Sequence, residues 1–165
     1  MTSEAFLSGL QKMNTNAASK HEEYERACEQ IRKDNVELLK EFVDWMRNQG
    51  ASDRTVAMHL PNASFYIQEF LLYEQPLRPQ AGVSSISMYL GYWFIRKGPI
   101  ATPGTVKSSA TSLVRFYSFL QEKGLVSADQ VDRMRQTIKT QMHHWQERAR
   151  RYNNPDITDQ SKIWI

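Results

Sequence analysis

The chain has 165 residues, 41% of them apolar, with 18 aromatic side chains and a net charge of +3. That is long enough to bury a core, yet no run of 18 apolar residues and no basic, apolar leader exists, so neither a membrane span nor export is expected. The single cysteine, Cys28, can form neither an internal disulfide nor a zinc site by itself, which points to a reducing, cytoplasmic setting.

Charge is spread unevenly. Residues 1–50 hold seven Lys/Arg against nine acids, residues 51–120 six against three, and residues 121–152 seven against four. Excess positive charge therefore lies in the middle and late parts, compatible with an anionic partner.

In chain order, the first twenty residues read as an extension: a short helix (Phe6, Leu7, Leu10, Met13) and then a polar stretch, Asn14 to Lys20. A helical domain is expected over 21–152. Its first helix carries Tyr24, Cys28, Ile31, Asn35, Leu38, Phe42 and Trp45 four and three apart, and Gly50 closes it in left-handed geometry. Ser52 caps a second helix, with Asp53 in its first turn and Val56, Leu60, Ala63, Ile67 and Phe70 inward. Pro61 falls inside it and predicts a kink or break near Met58 to Leu60. After a Pro-rich loop, Ser84 or Ser85 caps a third helix that buries Ile86, Tyr89, Leu90, Trp93 and Phe94 and stops near Lys97.

The fourth helix starts at Pro103-Gly104 and ends at Gly124, with Val106, Ala110, Leu113, Tyr117 and Leu120 as its seam. Ser127 caps a fifth, which runs to about Tyr152 on Val131, Met134, Ile138, Met142, Trp145 and Ala149. A tail, 153–165, ends in Ile163, Trp164 and Ile165. Large apolar residues there predict docking, on the body or on a partner. No alternating strand or hairpin signal occurs, so the fold is all-α, a compact bundle of about five helices.

Two outer stripes stand out. On the fourth helix Lys107, Thr111, Arg115 and Ser118, with Ser108 beside them, put hydroxyls between cations and include no carboxylate. Thr55, His59, Asn62 and Tyr66 form a second stripe on the second helix. Solvated helix faces mix both signs, so acid-free stripes suit a phosphate surface.

The segments ELLKEFVDWMRNQGASDRTVAMHL, VSSISMYLGYWF and GTVKSSATSLVRFYSFLQEKGLV together resemble the amino-terminal core-binding (SAM-like) domain of phage integrases and other tyrosine recombinases. The resemblance covers about residues 35–126 and rests on Gly50, Ser52, Thr55, Ile86, Tyr89, Leu90, Thr105, Val106, Phe116, Phe119, Leu120 and Gly124. It implies a SAM-like bundle whose second and fourth helices cross in the major groove of duplex DNA. The residues implied as DNA contacts are Ser52, Arg54, Thr55, His59, Asn62, Thr105, Lys107, Ser108, Thr111 and Arg115. Arg can fork to guanine and Asn to adenine, while Lys and hydroxyls hold phosphate.

Departures are as telling. His59 stands where the family often has Tyr, and Pro61 falls inside the second helix. None of the four histidines is followed by Arg at the third position, so the family's His-x-x-Arg pair is missing. No phosphate loop, HExxH or Gly-x-Ser-x-Gly occurs, and the adjacent His143 and His144 make a poor chelate. The chain is therefore read as no enzyme, without metal or cofactor, binding double-stranded DNA in integration or recombination. It would act alone, beside a separate recombinase or with a second copy, and on no membrane. The alternative is a helical protein-interaction module, homodimeric in one form, whose face is the fifth helix with Trp145 and the Ile163-Trp164-Ile165 end.

Overall fold

The computed structural model describes residues 3–165. Every regular element among them is helical: α1 (Ser3–Asn48), α2 (Asp53–Phe65), a composite α3, α4 (Pro103–Glu122) and α5 (Ala128–Tyr152). The third helix is assembled from Ile86–Met88, a wide π turn Tyr89–Trp93, and Phe94–Lys97. No helix of the described residues is long and apolar enough to cross a membrane.

The first helix differs most from expectation. The short helix and polar stretch expected over the first twenty residues are one continuous helix with the rest of α1, 46 residues in all. Between Asn14 and Lys20 nothing breaks it: no Gly or Pro occurs, and Thr15 turns its hydroxyl back onto the carbonyls of Gln11 and Lys12. Within the body the buried seam is Cys28, Ile31, Asn35, Leu39, Phe42 and Met46, while Leu38 and Trp45 are half-buried. A straight helix drifts about 20° per heptad against a strict four-three alternation, which moves the seam one position on.

Both glycine stops are as expected. Gly50 and Gly124 have φ of 85° and 74°. At each, the next amide reaches back to the helix: Ala51 N to Met46 O at 3.0 Å, and Leu125 N to Leu120 O at 3.0 Å. Ser52, Thr102 and Ser127 cap α2, α4 and α5 through their hydroxyls. Ser85 precedes α3 without a side-chain cap, because a 3₁₀ turn over Pro79–Ser84 runs straight into that helix.

Pro61 does not break α2. Its ring is exposed, and the carbonyl it deprives of a donor belongs to the exposed Ala57, where water can replace the lost bond. The helix widens later, in a π turn over Tyr66–Phe70. That turn meets the π turn of α3: Tyr66 lies 4.7 Å from Tyr89, ring to ring, and Phe70 lies 5.0 Å from Tyr89. The aromatic contacts join the main core, which runs from Leu39 on α1 to Ala149 on α5. Helix α4 is its centre, burying Val106, Ala110, Leu113, Tyr117 and Leu120 together with Phe116, Phe119, Ser109 and Ser112.

The tail docks on its own body. Ile163 is buried, and Trp164 packs on Tyr92 and Tyr152 at 4.9 Å and 6.1 Å. Arg151 donates to the carbonyls of Ile163 and Ile165 at 3.1 Å and 2.7 Å. Trp145 is buried against Gly91, where an added Cβ would come within 2.7 Å of the indole Nε1. Of the face offered for a protein partner in the alternative reading, Trp145 and Ile163 are thus covered from within, while Ile165 is 73% exposed.

Candidate nucleic-acid interface

Helices α2 and α4 run antiparallel. Trp45 donates to Glu122, and Lys123 pairs with Glu41, so the last turns of α1 and α4 are tied together. Helix α2 starts five residues past the end of α1, near that tie, and its midpoint then reaches the midpoint of α4. There Asn62 Nδ2 donates to Ser112 Oγ at 2.9 Å, and His59 Nδ1 lies 2.9 Å from the same oxygen.

The buried arc of α2 is Val56, His59, Ala63, Tyr66 and Ile67, with Leu60 half-buried at its margin. His59 and Tyr66, expected on the outer stripe, therefore point inward. His59 is 2% exposed and cannot reach a phosphate. A period count scores His as polar, but a polar partner such as Ser112 makes the buried position tolerable. Burial holds the imidazole pKa below its ordinary value of 6.5, and the Arg115 guanidinium nearby adds to this. Ser112 Oγ thus bonds both Asn62 and His59 and satisfies the buried imidazole nitrogen.

The remaining expected contacts separate into two groups. Ser52 Oγ accepts from Thr55 N at 3.2 Å, and the two hydroxyls lie 3.0 Å apart. Thr105 closes a capping box with Thr102 and also donates to Ile100 O at 2.7 Å. Thr111 donates back to Lys107 O at 3.0 Å. These four hydroxyls serve the helices that carry them. Arg54 and Lys107 are exposed, and Ser108, Asn62 and Arg115 are half-buried.

At 100° per residue, Asn62, Thr55 and Met58 fall on the flank of α2 beside α4. Arg115, Ser108 and Thr111 fall on the facing flank of α4. The two flanks form a shallow trough with the Asn62–Ser112 bond at its floor. Arg54 lies on the outer side of α2 beyond Met58. By the same count Lys107 and Ser118 lie about 120–140° round α4 from Ser112, on the flank toward α5, where Arg135 Nη2 donates to Ser118 Oγ at 2.9 Å. From Arg54 to Phe65, and from Pro103 to Gln121, neither helix carries an acid. Among the described residues Arg54, Lys107, Arg115 and Arg135 form no ion pair, a state they share with most of the chain's Lys and Arg side chains.

Ser112 is the residue the sequence did not single out. It sits between the outer Thr111 and the seam residue Leu113, and only the facing histidine gives it a role.

No family model, curated protein or solved structure matches this chain. The geometry stands by itself.

Proposed function

We propose that the chain is a non-catalytic DNA-binding module of the kind its resemblance to recombinase core-binding domains implies, serving integration or recombination beside a separate recombinase. The observation that carries this reading is the trough between α2 and α4, whose two walls hold no acid from Arg54 to Phe65 or from Pro103 to Gln121. A duplex phosphate backbone supplies the missing charge, with Lys107, Arg115 and Arg54 as contacts and Ser108 and Asn62 as hydrogen-bonding groups. Four of the hydroxyls expected as contacts are used in capping or in the helices themselves, so charge contributes most of the affinity. Binding is then weak and steeply dependent on salt.

The test is fluorescence anisotropy of a random duplex, titrated at several salt concentrations against the wild type and the double variant Lys107→Glu, Arg115→Glu. Each phosphate contact contributes about 0.9 to the slope of log K against log salt, so removing two lowers its steepness by about 2. Affinity should fall at least tenfold. Unchanged affinity and slope in a folded variant would remove this trough from consideration.

A further inference from the structure

The first twenty or so residues of α1 project past the body, and every described residue from Ser3 to Glu23 is exposed. Their apolar side chains are not placed at random. Phe6, Leu10, Met13 and Ala17 lie 18 residues, five helical turns, before Tyr24, Cys28, Ile31 and Asn35. The arm's apolar stripe therefore lies in line with the buried face of α1, separated from it by Lys20 and His21. On the body that face is covered by Leu72 and its neighbours; on the arm the stripe is bare, with Phe6 63%, Leu10 46% and Met13 70% exposed.

The same chain carries an apolar groove where the arm is rooted. Tyr24 donates to the carbonyl of Leu72 and to that of Tyr73, and Tyr73 is the first residue of the groove's rim. Phe70, Leu77, Met88, Tyr92 and Trp93 supply most of its apolar wall, with Glu74 and Gln75 at a polar margin, enclosing about 240 Å³. Tyr73 and Met88 are 53% and 59% exposed, and the indole nitrogen of Trp93 has no hydrogen-bond partner. An arm cannot fill its own groove. Phe6 lies 18 residues along a continuous helix from Tyr24, about 27 Å away.

We propose that a second copy of this chain covers both surfaces. In a twofold pair with arms antiparallel, the tip of each arm reaches the root of the other, so Phe6, Leu10 and Met13 of one copy seat against the partner copy's groove. Each copy offers the same ridge and the same groove, which is what a closed, isologous contact requires. Six half-exposed large apolar side chains and the small residues between them cover on the order of 800 Å² per copy, the amount a specific interface needs. A membrane surface is the poorer fit. The arm's Lys12 and Lys20 are outnumbered by Glu4, Glu22 and Glu23, whereas surface-seeking helices are rich in cations.

This inference is independent of DNA, so it is tested without DNA. Sedimentation equilibrium of the full chain between about 1 and 100 µM should give a dimer, with Kd in the micromolar range or tighter. Leu10→Glu on the arm and Met88→Glu on the groove rim should each weaken the dimer at least tenfold. Both positions are exposed, so the thermal midpoint at a concentration where the wild type is monomeric should stay in place. A chain with Phe6→Cys and Tyr73→Cys should form disulfide-linked dimers on mild oxidation. A monomer across the whole range would overturn the proposal, and so would a dimer that survives either glutamate.

Discussion

Ser112 has one hydroxyl hydrogen and two neighbours that constrain it. Asn62 donates to its oxygen and His59 Nδ1 bonds the same atom, while burial favours the neutral imidazole. Protons then bind the unfolded chain in preference to the folded one. Stability is full above the ordinary histidine value of 6.5 and is lost as the pH falls from there through the depressed folded value. Urea unfolding at pH 7.5 and pH 5.5 should show this loss, and His59→Gln should shrink it. Ser112→Ala should cost about 1–3 kcal/mol at pH 7.5, because it leaves the buried His59 Nδ1 without a partner. The residue types were legible in the sequence here, but the direction of His59 was not. Polarity put it outside, and only the element opposite, with a small hydroxyl at the right height, puts it inside.

At the level of elements, the ends of helices were more readable than their faces. Gly50, Gly124, Ser52 and Ser127 act locally, through left-handed φ or one side-chain bond, so four or five residues suffice to announce them. The apolar seam of α4 is equally plain, since its large apolar residues repeat at helical spacing and leave most of the polar ones on one outer face. By contrast, the polar run Asn14 to Lys20 hid the unity of α1, because weak helix formers without a breaker do not end a helix. Close approach between elements is also invisible in one dimension. Gly91 on α3 lies under the Trp145 indole, and a methyl group there would collide with it. Gly91→Ala should therefore lower stability by about 1–3 kcal/mol, read as a shift of the urea midpoint, although alanine is the better helix former.

For the molecule as a whole, the all-helical class follows from periodicity, while the trough between α2 and α4 required the antiparallel pairing that the α1–α4 tie imposes. The long connection from Leu72 to Ser85 is the segment where local looseness would be expected. Two buried phenols hold it from beneath: Tyr66 donates to Gly82 O, and Tyr117 donates to Pro79 O at 2.7 Å. Burial pushes both phenols well above their ordinary range, so neither ionises at any pH the protein meets. On the outer side Arg78 pairs with Asp34 at 2.9 Å. From Leu77 to Ser85 the segment is thus held from both sides, and the Leu77, Ala81 and Ser85 amides each donate to a backbone carbonyl. These amides should exchange with deuterium only when the bundle opens. Tyr117→Phe, which keeps the ring and drops the hydroxyl, should uncouple the two, letting these amides exchange while the helices around them remain protected.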